Sequence, residues 1–322
     1  MMKLFVQIPC LNEEGTLSLV IRDIPRQIDG VDEVKVLVID DGSSDATSEV
    51  AYQAGADHVV RVPYNQGLAR AFSIGINKCL ELEADIIVNI DGDNQYDGRD
   101  IPRLIQPILR RRADMVIGDR TAANRHKFTF IKRTLLALGS ETVSFLSNVR
   151  VPDAASGFRA YSREAALRVN VFSKFSYTLE TIIQAGKNHL VVTHVPIRTN
   201  AATRRSRLFG TTASYLKRSA ATILRIYTLY EPLRTLVLIG GLLFAVGAAG
   251  MLRFLLFWFS ETGGGHIQSL VVSAVFLIIG FQVWVIGILA DLISVNRRLS
   301  EEVLYRMKRQ ETLSKGNSVE SR

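Results

Sequence analysis

The chain has 322 residues, long enough for one large domain and an accessory part. Its formal net charge is +8, with 39 Lys and Arg against 31 Asp and Glu, a balance that suits an anionic partner, either nucleic acid or a membrane surface. The two cysteines, Cys10 and Cys79, form no CxxC pair, which excludes a disulfide framework and leaves reduced thiols in a cytosolic compartment as the expectation.

Met1-Met2-Lys3 runs straight into a strand pattern over 3–8, so no signal peptide is expected. Cys10 closes that strand in a small apolar role, and Asn12 stands where it would cap a helix beginning near Glu13. A strand over 34–39 runs into Asp40-Asp41-Gly42-Ser43-Ser44-Asp45, then a helix over 46–54 and a strand over 58–62. Asn65-Gln66-Gly67-Leu68 opens a helix that runs to Leu82. The β-branched run Ile86, Ile87, Val88, Ile90 reads as a strand buried on both faces, and it ends in Asp91-Gly92-Asp93-Asn94-Gln95-Tyr96. A helix over 101–111 and a strand over 115–117 follow. This alternation predicts an α/β domain around a parallel sheet with right-handed crossovers.

In open α/β sheets, ligands bind outside the carboxyl ends of the strands. Polar clusters fall there at 9–13, 40–44, 91–95 and 118–120, and four clusters on one edge make a pocket. No GxGxxG follows the first strand and no GxxxxGK[ST] occurs, so the pocket is neither a dinucleotide site of the usual kind nor a P-loop. Asp91, Asp93 and Gln95 alternate, so in an extended or turning segment their oxygens converge. Oxygen-only donors suit Mg²⁺ or Mn²⁺. Read alone, the same DxD is an acidic turn closing a strand; the other clusters favour the cation.

Past Arg120, an amphipathic helix over 128–146 carries Lys127, Lys132 and Arg133 at its start and either lies on a bilayer or packs in a core with its charges solvated. A glycine-broken loop from Asp153 enters a strand, a helix begins near Glu180, and a strand spans 190–197. Arg198, Arg204, Arg205 and Arg207 then suit phosphates or anionic lipid headgroups. Residues 236–252 are uncharged, the apolar run resumes after Arg253, and 270–290 is again uncharged. Each run has the ~20 residues that a helix needs to cross a bilayer. The linker over 260–266 has no Lys or Arg, whereas Lys217, Arg218, Arg225 and Arg234 precede the pair and Arg297, Arg298, Arg306, Lys308 and Arg309 follow it. Positive-inside bias therefore puts the first domain and both termini in the cytoplasm, in a multi-pass protein of the cell membrane with two spans. Arg253 is close enough to the linker to snorkel outward. The predicted organisation is a cytoplasmic domain over 1–210, an amphipathic juxtamembrane helix over 211–232, a two-helix hairpin over 233–295, and a basic tail over 296–322 whose charged helix fades into disorder. Because the charge clusters at the bilayer and no aromatic-interleaved basic strand occurs, nucleic acid is not an expected partner.

Ile8-Pro9-Cys10-Leu11-Asn12-Glu13-Glu14, Ile39-Asp40-Asp41-Gly42-Ser43-Ser44-Asp45, Asn65-Gln66-Gly67-Leu68, Asp91-Gly92-Asp93-Asn94-Gln95 and Ser156-Gly157-Phe158-Arg159 come in an order and spacing that resembles family-two glycosyltransferases of the GT-A fold. The branch they look most like comprises dolichyl-phosphate mannose synthase and other polyprenyl-phosphate hexosyltransferases with a C-terminal helix pair. The resemblance covers 3–210, plus the helix pair by topology. It implies a Rossmann-like GT-A domain in which Pro9, Leu11 and Glu13 line the nucleobase and Ile39 and Asp41 hold base and ribose. Asp91, Gly92 and Asp93 would face the donor, with Asp91, Asp93 and Gln95 at the metal. Arg204 and Arg207 would lie near the donor phosphates, and Arg120 and Arg133 on the acceptor phosphate. The chain departs from the pattern in having Leu11 where the family often has Tyr, Ala137 where this branch has Ser, and Arg205-Ser206-Arg207 in place of glycine-serine-lysine. The QxxRW motif is absent, and the only tryptophans, Trp258 and Trp284, lie in the apolar runs, which argues against cellulose- or hyaluronan-type polymerisation.

The implied reaction is inverting transfer of a hexose from a nucleotide diphosphate sugar, UDP- ahead of GDP-linked, to a dolichyl or undecaprenyl phosphate with Mg²⁺ or Mn²⁺. Asp91 and Asp93 would serve catalysis through the metal, and Glu180 and Asp153 are the carboxylates to test as base or organiser. A phosphate monoester, with a second pKa of about 6, is already ionised and needs no dedicated base. Two other readings stay open: a lipid-hydroxyl glycosyltransferase, and a non-catalytic membrane-tethered nucleotide-sugar-binding protein. The helix pair also offers a surface for homo-oligomerisation.

Overall fold

The structure is a computed structural model that describes residues 1–120, 144, 149, 151–171, 177–200, 232–259 and 267–320, with side chains at 298 and 311–320 left aside. It divides into two compact units, Met1–Ser219 with Leu304–Arg322, and Ala220–Val303.

The first unit is built on strands β1 (Lys3–Cys10), β2 (Glu33–Asp40), β3 (His58–Arg61), β4 (Ile86–Asn89), β5 (Met115–Asp119), β6 (Arg159–Ser162) and β7 (Val192–Pro196). Its described helices are α1 (Leu17–Asp23), α2 (Thr47–Gln53), α3 (Leu68–Glu81), α4 (Ile101–Leu109), α5 (Arg163–Arg168) and α6 (Tyr177–Lys187). The strands form one sheet in the order β3-β2-β1-β4-β6-β5-β7. β6 is antiparallel to both of its neighbours, and the other pairs are parallel. The sheet is therefore mostly parallel, with one reversed strand that the alternation of the first half did not disclose.

Strand residues alternate between two apolar layers. Leu4, Val6, Ile8, Val36, Val38, Ile86 and Val88 join Leu17, Val20 and Ile21 of α1 and Ile101, Leu104, Ile105 and Ile108 of α4 in one core cluster. The spacing of the α1 and α4 residues is that of a single helix face. On the other layer, Phe72 of α3 stacks on Tyr177 of α6 with ring centroids 4.1 Å apart and lies 5.9 Å from Tyr161 of β6.

α1 begins at Leu17, not near Glu13, and Asn12 is not its cap. Asn12 sits at φ 55, and its side-chain oxygen accepts from Ser44 N at 2.9 Å while its own N–H donates to Ser43 Oγ at 2.9 Å. Its polar groups hold the neighbouring loop, so the chain turns through 13–16 before the helix starts.

In the second unit, α7 (Pro232–Phe259) and α8 (Ile267–Glu320) are long and apolar enough to cross a membrane. Only 11% and 17% of their most apolar stretches are buried, which does not suit core helices of a soluble domain. They meet along small residues. A Cβ on Gly240 would stand 2.9 Å from Gly280 O, and one on Gly247 would stand 2.9 Å from Ser273 O. Gly240, Gly247 and Phe254 are buried on α7, as are Ser273, Gly280, Gly287 and Ser294 on α8, a seven-residue spacing on both. Trp284 donates its indole N–H to Val237 O at 3.1 Å and stacks on Phe244 at 5.0 Å.

α8 continues past the apolar stretch, and its part from Leu304 belongs to the first unit. There Tyr305 donates to Glu164 Oε1 at 3.0 Å, the Arg168 guanidinium lies 4.4 Å from the Tyr305 ring, and Lys308 donates to Asn170 Oδ1 at 2.9 Å. The tail begins as the charged helix expected there and is helical to Glu320, and Tyr305 and Lys308 share a face that binds α5 and the residues after it. Apart from Ser144 and Pro232, the helices expected over 128–146 and 211–232 lie outside the described residues.

Candidate active site

The carboxyl edge of the sheet gathers the segments that carry the polar residues. β1 and β2 end in register, Cys10 beside Asp40, and Gln7 of β1 lies beside Asn89 of β4. Asp40, fully buried, accepts from Ser43 N at 2.8 Å and from the Ser48 hydroxyl, which closes the loop after β2. Asp41 accepts from Gln66 N at 2.9 Å and Gly67 N at 2.8 Å, so its carboxylate holds the loop that opens α3. Gly42, at φ 74, has no room for a side chain: a Cβ would lie 2.6 Å from Tyr64 C. Burial, and then the charges of Glu13, Asp40 and Asp91, push the Cys10 thiol well up, so it stays protonated and inert.

The acidic turn after β4 is the centre of the site. Asp91 Oδ1 is buried and makes no hydrogen bond. Burial raises the Asp91 carboxyl to about 7; Asp93 and Glu13 push the same way, while Arg120 and Arg159 oppose them. A carboxylate held among other carboxylates with an unsatisfied oxygen costs free energy that a bound cation would remove. Asp93 Oδ1 accepts from Gln95 N at 3.1 Å, and Gln95 itself is exposed. Among the described residues no group of three or more His, Cys, Asp or Glu could hold a metal by itself. That fits Mg²⁺ or Mn²⁺, which typically take one or two carboxylates and complete their shell with water and substrate phosphate.

The opposite wall is the 153–158 loop. Arg120 donates through Nε to Asp153 Oδ2 at 2.7 Å and through Nη2 to Asp153 Oδ1 at 2.9 Å. Burial works against the Arg120 charge, but Tyr96 and Asp153 more than offset it, and its pKa is raised. Arg159, fully buried, donates to Ser156 O at 2.7 Å, Ala154 O at 2.8 Å, Thr178 O at 2.7 Å and Thr181 Oγ1 at 2.8 Å. It ties the loop to α6 and lends positive potential to Asp91. Gly157 is bound from two sides, its N–H by Tyr96 Oη at 3.0 Å and its carbonyl by Asn89 Nδ2 at 2.8 Å. A Cβ on Gly157 would stand 2.7 and 2.8 Å from the Asp91 oxygens. Gly157→Ala is therefore expected to turn the Asp91 carboxylate aside and slow turnover about a hundredfold. Initial rates, with the unfolding midpoint as control, check this.

The predicted residues are placed unequally. Glu13, buried, accepts from Thr16 Oγ1 at 2.9 Å, and the same hydroxyl donates to Gly92 O at 2.9 Å, so Glu13 and the acidic turn are joined. Leu11 is half-buried and Pro9 is buried in the sheet. Ile39 ends the run of buried residues on β2, with its Cδ1 beneath Gly75 of α3. Both oxygens of Asp153 engage Arg120, the arrangement of an organiser, one of the two roles expected of it. Glu180 is buried on α6. Arg133, Arg204 and Arg207 lie outside the described residues. Arg159, Tyr96 and Asn89 were given no role from sequence; the Ser156-Gly157-Phe158-Arg159 motif was the only signal for the first.

The model of the family described as Glycosyl transferase family 2 matches residues 5–169. The glycosyltransferase AglJ of Haloferax volcanii is 29% identical over 304 residues, covering 92% of this chain and 95% of that protein. The UDP-N-acetylglucosamine–dolichyl-phosphate N-acetylglucosaminyltransferase of Methanococcus voltae is 29% identical over 221 residues, covering 61% of this chain and 85% of that protein. Among solved structures, glucosyl-3-phosphoglycerate synthase from Mycobacterium tuberculosis with Mn²⁺, UDP-glucose and glycerol 3-phosphate matches with a TM-score of 0.50 at 25% identity, covering 70% of this chain and 79% of that one.

Proposed function

The chain belongs to glycosyl transferase family 2 and is a glycosyltransferase, and from that premise we propose that it moves a hexose, with inversion, from a nucleoside diphosphate sugar to a polyprenyl phosphate. The observation that carries this reading is the acidic turn, where the unpartnered Asp91 oxygen lies near Asp93 at the carboxyl edge of the sheet. Mg²⁺ or Mn²⁺ held by Asp91, Asp93 and Gln95 would supply a Lewis acid for the charge on the departing nucleoside diphosphate.

The chain's own residues do the rest by position. Arg120, locked in one orientation by Asp153, keeps a fixed guanidinium beside the turn, suited to the acceptor phosphate. An ionised phosphate oxygen is the nucleophile, so placement matters more than proton removal and Glu180 need not be a base. A uridine donor is supported by the two relatives whose names carry UDP. The division at 210, 232 and 295, a cytoplasmic face for both termini, and the two helices as membrane spans belong to the same proposal, supported by the helices' length and hydropathy and by the Lys and Arg of their flanks. Such anchoring would raise the effective concentration of a lipid acceptor.

The test is a panel of labelled donors offered to the detergent-solubilised chain with a polyprenyl phosphate. Labelled lipid and free nucleoside diphosphate are expected with one donor, lost on adding EDTA and restored by excess Mg²⁺ or Mn²⁺. Undiminished product in EDTA, or no lipid product from any donor, would refute the reading.

A further inference from the structure

We infer that Asn200 is a positioning residue that holds the acidic turn in the shape its cation site requires. The inference rests on the proposed role of Asp91, Asp93 and Gln95. Asn94 lies between the latter two at φ 59, a left-handed conformation that a residue other than glycine adopts at a cost. Asparagine bears that cost best when its amide is hydrogen-bonded, and Asn200 spans the turn. Its Nδ2 donates to Asn94 Oδ1 at 3.1 Å and to Tyr96 O at 3.3 Å, and its backbone N–H donates to Gln95 O at 3.0 Å. Three consecutive residues of the turn are thus gripped by one asparagine from a distant part of the chain.

The asparagine is itself fixed. The chain leaves β7 with Ile197 N donating to Asp119 O at 3.1 Å. Next, Arg198 binds Asp100 Oδ1 through Nε at 3.0 Å and Nη2 at 2.8 Å, and its N–H reaches Asp100 Oδ2 at 2.6 Å. Thr199 then bridges Tyr96 as an isolated antiparallel pair. Segment 197–200 is stitched along 95–100, and the side chain at its end reaches over the turn. Among the described residues, Asn94's side chain has Asn200 as its hydrogen-bond partner. Without it, Asn94 can relax out of the left-handed region, and Asp93 and Gln95 lose their common aim.

The test is titration of the full chain in detergent with Mn²⁺ in the presence of UDP, followed by the electron paramagnetic resonance of free Mn²⁺. Asn200→Ala and Asn94→Ala are each expected to weaken Mn²⁺ binding about tenfold, with the double variant falling short of the sum because the two share a bond. Asn94→Gly, which accepts the left-handed conformation freely, is expected to retain more affinity than Asn94→Ala. The unfolding midpoint and the KM for acceptor should hardly move. Wild-type affinity in Asn200→Ala, or additive losses in the double variant, would overturn the inference and leave the cation site standing. A parallel fall of affinity, midpoint and acceptor binding would also overturn it, marking Asn200 as merely structural. No Mn²⁺ binding by the unaltered chain would instead remove the cation site itself, and this inference with it.

Discussion

Asp93→Ala is expected to abolish sugar transfer, by about a thousandfold or more, in a chain that still folds. The turn has supports besides the Asp93 side chain. Tyr96 is anchored to Gly157, and Asn200 grips 94–96. Loss of the bond from Gln95 N to Asp93 Oδ1 costs about 1 kcal/mol, which is small beside a catalytic loss of that size. The substitution also removes the like charge that helps hold the Asp91 carboxyl up, so Asp91 should ionise more readily in the variant. Recovery of charge at Asp91 without recovery of rate would show that a single carboxylate cannot do the work of the pair. Initial rates from labelled donor, with circular dichroism and the unfolding midpoint as controls, check the result. Undiminished turnover would exclude a role for the turn in catalysis.

The second large effect belongs to stability. Asp153→Ala is expected to cost about 3–5 kcal/mol, because it leaves the Arg120 guanidinium in a mostly buried place without its counter-charge. The side chains of Arg120 and Asp153 are 18% and 5% exposed, so solvent does little to rescue the orphan. The same change frees Arg120 to swing, and transfer should fall with it. The double variant, with Arg120→Ala added, should be more stable than Asp153→Ala alone, since no guanidinium is then left without its partner. Unfolding midpoints of the three variants decide the matter; a double variant no more stable than the single one would show that Asp153 acts through some other contact.

Much of this was legible in the sequence, for reasons that can be named. β-branched runs and the glycine- and asparagine-rich turns between them announced all seven strands in order, and the rule that ligands gather at carboxyl ends pointed to the site. Hydropathy alone found the two long helices. The reversal of β6 was not legible, because a strand of four residues inserted between β4 and β5 leaves no local mark of its direction. Which layer each of Val38 and Ile39 faces was not legible, because both are apolar and a strand buried on both faces gives no sign of which residue points where. Arg159 escaped because a buried arginine looks, in sequence, like any solvated one; only the carbonyls around it reveal its task. The approach of Gly157 to Asp91 joins segments far apart in the chain, and no periodicity encodes it.

The glycine and serine seam between α7 and α8 has a bearing on how copies of the chain would meet. Every small residue of that seam is already spent inside the hairpin. What remains on the outside is mostly bulky and exposed, Leu238, Leu242, Val246, Val271, Ile278 and Phe281, but Gly241, Ala245 and Ala249 also stand there four residues apart on α7. Hydrocarbon tails solvate the bulky side chains as well as a second protein would, so crowding those together releases little free energy. Were the pair to sit in a bilayer, a second hairpin could come close only along that outer row of small residues, because the seam itself is already filled.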